Sequence, residues 1–342
     1  MKPPTAKVSP PKGFVPEPDP RLSPRTVQNV LRVFTLLLAL PLLFEGVSFL
    51  LPSRTNLAAA TVRSGMQWLL LNLLGEGNNR VFAGKEDWLF SHAELDRHTH
   101  ARRPDSGLHA SLLQLASQLK AQQTPLLVVA IPDRATIYPE QLRPGRYLDP
   151  IRQKDEAGRL ASLKAAGAEV LDMTEPLWTL RDKKPVFYSH DSHWTPEAMK
   201  FTALAVHKLV REKYPRLCSP DTPLINATLL DRTDPGDLAL QLAPLFAGSL
   251  MGLETAELVS IQGIEPAASS PIVLHGGALM HVYDDARLSF GGGDKSPRAG
   301  FITQLATLIG RPLDVRAMPQ PAEKYEDKKL VIILLPMAEL VP

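Results

Sequence analysis

The sequence predicts a three-layer α/β domain, helices on both faces of a mainly parallel sheet, and three stretches carry that expectation. Leu126–Ile131 (LLVVAI) and Leu330–Leu335 (LVIILL) are unbroken apolar runs of strand length, as expected of parallel strands covered on both faces. Pro271–Ala278 (PIVLHGGA) reads as a buried strand feeding a glycine turn, a position at which open α/β sheets keep their functional loops. Between these runs, helical periodicity alternates with short apolar segments, the signature of crossover connections.

Taken in order, residues 1–26 hold eight prolines together with Lys2, Lys7, Lys12, Arg21 and Arg25, too polar and too interrupted to fold alone. This is expected to be a disordered cytoplasmic tail. Within 27–52, the 19 residues Val33–Leu51 are almost wholly apolar, just long enough to span a hydrocarbon core. Arg25 and Arg32 precede the run and no small-residue cleavage motif follows it, so the pattern predicts an uncleaved signal anchor, a single transmembrane helix with its basic side in the cytoplasm. The expected location is the bacterial inner membrane, with the main domain in the periplasm. Residues 53–80 include MQWLLLNLL (66–74), too short to span and read as an amphipathic helix lying on the membrane or packing on the domain. Residues 81–342 form the α/β domain.

Gly84–Phe90 (GKEDWLF) reads as a tight turn entering a strand, with Trp88 and Phe90 on one face. Leucines 108, 112, 115 and 119 recur at helical spacing, Asp155–Ala166 is a helix stopped by Gly167, and Ala168–Asp172 is a short strand. A helix from Thr195 to about Tyr214 is capped by Thr195, with Pro196 at its first turn and Phe201, Leu204, Ala205, Leu209 and Val210 facing inward. Asp234–Leu238 is a turn in which Asp237 caps a following helix, and a last helix spans about Pro297–Leu308.

Composition excludes several functions. With 38 basic and 36 acidic residues the net charge is +2, and no basic stripe with interleaved aromatics is present, so a nucleic-acid partner is not expected. The single cysteine, Cys218, rules out an intrachain disulfide and a cysteine-based zinc site. His190, His193, His275 and His281 lack metal-ligand spacing, and Gly291–Ser296 lacks the spacing of a phosphate loop, so neither metal nor cofactor is implied.

The best chemical lead is Tyr188–Glu197 (YSHDSHWTPE), which sets Asp191 and His193 two residues apart in a loop just ahead of a helix. A carboxylate and an imidazole held this way suit an orienting acid and a general base. Arg134 and Tyr138, in a loop after a buried strand, are read either as contacts for a hydroxyl-rich or anionic polymer or as a loop charge and a packed aromatic.

Four pieces, GKEDWLF (84–90), PDRATIYPE (132–140), DSHWT (191–195) and PGDL (235–238), together resemble the alginate O-acetylation proteins, the AlgJ/AlgX group of SGNH-hydrolase-like acetyltransferases. The resemblance implies a circularly rearranged SGNH-hydrolase-like, flavodoxin-like fold and O-acetyl transfer to an alginate-like exopolysaccharide. It assigns Asp191 as orienting acid and His193 as general base, and implies substrate contacts at Arg134, Tyr138, Trp194, Gly276 and Gly277. The implied partners are a polysaccharide chain, a multipass membrane acyltransferase and other polysaccharide-synthesis proteins.

The resemblance also demands a serine in a Gly-Asp-Ser-type turn after a buried strand. The stretch that fits is Leu274–Ala278, where Gly277 replaces the acid and Ala278 the nucleophile. Three explanations stand at this point: a pseudo-enzyme that keeps the cleft for binding or assembly, a substitute serine such as Ser192, Ser270 or Ser289, or a nucleophile elsewhere in the chain. A purely structural scaffold for a polysaccharide synthesis or secretion complex is the further alternative.

Overall fold

Five parallel strands in the order β4-β3-β9-β7-β8 make the central sheet: β3 (Leu126–Ile131), β4 (Glu169–Asp172), β7 (Ile272–His275), β8 (Asp314–Arg316) and β9 (Leu330–Pro336). The computed structural model describes residues 28–29, 31–36, 39, 64–71, 73, 75–99, 107–142, 145, 147–220, 226–244, 247–262, 264–293, 295–320 and 323–340. The expectations for the tail and for most of the anchor lie outside the described residues. Among the described residues, no helix is long and apolar enough to cross a membrane.

The chain divides into two units, residues 1–62 and 63–342. In the first, residues 28–29 and 31–36 are helical, with Leu31, Val33, Phe34 and Leu36 exposed. In the second, residues 64–71 form a helix that packs on the domain. Leu71 lies against the cluster of Val81, Leu89, Leu238 and Leu242, and Gln67 Nε2 donates to the Gly77 carbonyl at 2.8 Å.

The all-apolar strands are explained by what covers them. Along β3, Leu127, Val129 and Ile131 face one core and Leu126, Val128 and Ala130 the other; Ile332 and Leu334 of β9 divide from Val331, Ile333 and Leu335 in the same way. One face is covered by α2 (Leu108–Ala121) and α4 (Glu156–Ala166), through Leu112, Leu115, Leu119, Leu160 and Leu163. The other is covered by α6 (Pro196–Lys213) and α10 (Phe301–Ile309). Between these elements, in chain order, stand α1 (His92–Thr99), the single turn α3 (Arg134–Ile137) and α5 (Thr174–Arg181), then α7 (Asp237–Leu242), α8 (Ala247–Met251) and α9 (Ala278–His281). The chain closes with α11 (Met337–Leu340).

The strand order differs from the simple flavodoxin-like one. Counting only the sheet strands, the observed order is 2-1-5-3-4 rather than 2-1-3-4-5, because the last strand, β9, inserts between β3 and β7. Thus β9 fills the topological switch point, and the carboxyl ends of β3, β9 and β7 lie side by side.

Several expected details shift. On α6 the buried row is Met199, Thr202, Ala203, Val206 and Val210, whereas Phe201 is 37% and Leu204 52% exposed. Small and β-branched residues let this helix lie close to the sheet and α10, so the bulkier pair turns outward. The helix expected from Pro297 begins at Phe301, where Asp284 binds the Gly300 and Thr303 amides, so Pro297–Ala299 stay outside it. A long antiparallel pair, β5 (Asn226–Asp234) with β6 (Glu254–Gln262), joined through α7 and α8, was not legible, since most of β5 is exposed and carries no clean alternation. A smaller one, β1 (Val81–Ala83) with β2 (Leu89–Ser91), closes on the GKEDW turn.

Candidate functional site

The loop that carries Asp191 and His193 is pinned at both ends. An antiparallel bridge joins Phe187 to Trp194, and Thr195 Oγ1 accepts from the Ala198 amide at 3.3 Å to cap α6. The PGDL turn then presses on the loop from the other side. Gly236, at φ 88°, brings its α-carbon so close to the loop that a Cβ would stand 2.3 Å from the His190 carbonyl oxygen. Only glycine fits there. The same carbonyl accepts from the Leu238 and Ala239 amides at 3.1 and 3.3 Å.

This contact builds a closed acid–imidazole relay. Asp191 Oδ1 lies 2.7 Å from His193 Nδ1 and accepts the His193 amide at 2.8 Å, while its Oδ2 accepts the Asp237 amide at 2.9 Å. Asp237 in turn accepts from the Ser192 amide (2.7 Å) and the Ser192 hydroxyl (2.8 Å). Asp237 is therefore the first residue of α7 rather than its cap, Gly236 holding that place, and its carboxylate is spent on tying the two loops together.

Burial alone would raise the Asp191 acid, but the hydrogen bond and charge of His193 overcome it and hold Asp191 down at about 2. For His193 burial works downward, and Asp191 outweighs it, leaving the imidazole more basic than usual. Asp237 is raised by burial and by the Asp191 charge. The imidazole is thus oriented through Nδ1, leaving Nε2 as the base toward the cavity.

That cavity, about 260 Å³, opens at the carboxyl ends of β3, β9 and β7. Ser192, His193, Asp237, Arg134 and Ala278 all line it. Ala278 begins α9 directly after β7 and the Gly276–Gly277 turn, a strand–turn–helix setting that suits a nucleophile elbow, but its side chain is a methyl group.

The family model of the SGNH hydrolase-like domain of the acetyltransferase AlgX matches residues 81–317. The chain belongs to this family. The probable alginate O-acetylase AlgJ of Pseudomonas fluorescens is 29% identical over 200 residues, 56% of this chain and 49% of that protein. The corresponding protein of Pseudomonas aeruginosa is 28% identical over 186 residues, 52% of this chain and 46% of that protein. The chain thus spans about half the length of the curated relatives it matches. Among solved structures, the O-acetyltransferase domain of Pseudomonas putida AlgJ shares the fold, with a TM-score of 0.53 at 18% identity over 76% of this chain and 91% of that one.

In this AlgX-type domain the remaining expected site residues separate into two groups. Arg134 lines the cavity, yet its Nη2 donates inward to the Tyr188 and Ser189 carbonyls at 2.7 and 3.0 Å. Its Nε and Nη1 are buried without hydrogen-bond partners, and Cζ lies 5.3 and 5.1 Å from the Trp88 and Phe90 ring centroids. Its charge answers Glu94, Asp191, Asp237 and Glu254. The other group does not line the cavity. Tyr138 packs on Trp88 at 4.5 Å and its hydroxyl accepts the Val186 amide. Trp194 is wholly buried, 5.7 Å from Phe301, with its carbonyl accepting the Tyr283 hydroxyl. Gly276 is held close to Met280, and Gly277 faces Glu339.

The substitute serines also separate. Ser192 lines the cavity but donates to Asp237; Ser289 bonds the Asp191 carboxylate; Ser270 donates to the Pro312 carbonyl below β7. Ligand atoms of Asp191, His193 and Asp237 lie within 4.8 Å of one another, close enough for a metal ion, but the carboxylate oxygens already accept the bonds that close the relay. His275 is placed elsewhere, its ring nitrogens bonding the Ala317 carbonyl (2.6 Å) and the Tyr325 hydroxyl (3.0 Å). Asp133, weighed with Arg134 as a loop charge or a binding group, lines the cavity, and so do Glu94 and Glu339, which were not expected to. Only Asp133 carried a signal, as part of the PDRATIYPE loop; Glu339 follows a strand that gave none.

Proposed function

We propose that this chain is a membrane-anchored periplasmic protein of exopolysaccharide O-acetylation in which transfer chemistry is lost and polymer binding or assembly of the acetylation machinery is kept. The observation that carries the reading is the Ala278 methyl in the cavity lined by His193. A methyl group cannot attack an acetyl carbonyl or carry the acetyl intermediate, and removal of a triad nucleophile lowers turnover roughly a million-fold. The apolar run Val33–Leu51 after Arg25 and Arg32 supports the anchor. Family membership supports the polysaccharide and a multipass acyltransferase as the partners.

The test uses the full chain in detergent, a fluorophosphonate probe, a chromogenic acetyl ester and glycan oligomers. The expected result is glycan binding with neither labelling nor turnover. Acetyl transfer or acetylesterase activity abolished by His193→Ala would overturn the pseudo-enzyme reading. Activity lost on Ser192→Ala would instead identify Ser192, the substitute serine that lines the cavity, as the nucleophile.

A further inference from the structure

The helix over residues 64–71 reverses the arrangement usual at a protein surface, where the apolar stripe faces inward and the polar side chains meet water. Ser64 is fully buried, and Gln67 Nε2 donates to the Gly77 and Glu76 carbonyls at 2.8 and 3.3 Å, so the polar side chains turn to the domain. Leu71, one turn beyond Gln67, shares that side and packs on the cluster of Val81, Leu89, Leu238 and Leu242. Away from it, Met66, Leu69 and Leu70 are only half-buried, Trp68 is 37% exposed and Leu73 71%. No charged residue falls between 64 and 74. The outer side of the helix is therefore apolar.

The chain on the N-terminal side points to what covers it. Only twelve residues, 52–63, separate the apolar run Val33–Leu51 from Ser64, a span of about 40 Å when fully extended. Over 52–80 the charges are Arg54, Arg63 and Arg80 against Glu76, a balance that suits a surface holding anionic lipid. Tryptophan is also the side chain that membrane–water interfaces favour, because its ring is apolar and its N–H can stay wet.

We infer that this helix docks on the lipid surface of the membrane the anchor spans, with Trp68 and Leu73 entering the interface while Gln67 and Leu71 hold the domain. This rests on the reading of the chain as membrane-anchored, and the test separates the two. The consequence reaches the cavity, because Leu238 belongs to the cluster under Leu71 and also lines the cavity. Docking holds the cavity close to the bilayer, where a membrane-embedded partner works.

The full chain is reconstituted in mixed phosphatidylcholine and phosphatidylglycerol vesicles, with or without bromine on the acyl chains near the headgroups, and tryptophan emission is read. Trp68 is the exposed one of the four tryptophans, so its component is the difference between the native chain and Trp68→Phe. Bromine is expected to quench at least about half of that component, as for a ring seated at the acyl boundary. Leu73→Asp, at an exposed position, should lower this quenching at least about twofold by setting a charge against the lipid, with near-ultraviolet circular dichroism unchanged. A Trp68 component that bromine leaves unquenched would overturn the inference, and retention of the chain on the vesicles through an alkaline carbonate wash would leave the anchor standing. Shielding of Trp68 from acrylamide that grows with protein density, without bromine quenching, would also overturn it, by making a second copy of the chain the cover. Loss of the chain in the carbonate wash would remove the anchor reading itself, and the inference with it.

Discussion

Glu339 faces Gly277, with its Oε1 3.5 Å from the point a Cβ at Gly277 would occupy. The two come from different strands, Gly277 after β7 and Glu339 in α11 after β9, which the sheet order makes neighbours. Restoring the acetyltransferase turn therefore meets an obstacle. Ala278→Ser should be accepted quietly and become labelled by a fluorophosphonate, with labelling lost on adding His193→Ala. Adding Gly277→Asp should destabilise the fold by between about 1 and 4 kcal/mol, the range for two like charges ~4 Å apart between water and a partly buried setting. Urea unfolding measures this, and Glu339→Gln should recover most of it.

The Asp191–His193 pair gives stability a pH window. The His193 contribution is complete below 6.5 and is lost as pH rises through the raised pKa of the folded state. That of Asp191 is present above 3.8 and is lost as pH falls through about 2. Together they favour the fold most between about 4 and 6.5, while Asp237, raised by burial and by Asp191, opposes folding once ionised. NMR titration should place the His193 ring above 6.5. In Asp191→Asn it should fall, because the hydrogen bond and charge that chiefly oppose burial are gone and only the charges of Asp237 and Asp234 still raise it.

Gly236 is the hinge between the two loops of the relay, and its requirement is steric on two counts. Its φ of 88° is unfavourable for a side chain, and a Cβ would lie 2.3 Å from the His190 carbonyl oxygen. Gly236→Ala should cost roughly 2 to 4 kcal/mol in urea unfolding. It should also lower the His193 pKa, since displacing the turn withdraws the Asp237 amide that holds Asp191 in place.

What was legible follows from locality. The β3 and β9 runs, the Thr195 cap and the Asp191–His193 pair are each specified within a few residues, and the relay closes over a separation of two. The insertion of β9 between β3 and β7 is not local, and neither is the arrival of Glu339 or the use of Asp237 by Ser192, 45 residues away. The inward face of α6 was misplaced because hydrophobicity pointed to Phe201 and Leu204, while close packing selected Ala203 and Val206. Arg134 lines the cavity, but the direction of its donors depends on Tyr188 and Ser189, more than 50 residues on.

Trp194 allows the roles of core and ligand contact to be separated. Its ring is fully buried beside Phe301, and its backbone ties to Val186 through Thr195 and to Tyr283, so it supports the relay from beneath. Trp194→Ala should cost about 3 to 5 kcal/mol and Trp194→Phe less, as expected for truncating a large side chain in a packed core. For molecules that remain folded, glycan affinity should be unchanged in Trp194→Phe when normalised to the native fraction seen by near-ultraviolet circular dichroism. A loss of affinity exceeding about tenfold with stability preserved would mean that the ring contacts ligand, a result a wholly buried side chain does not allow.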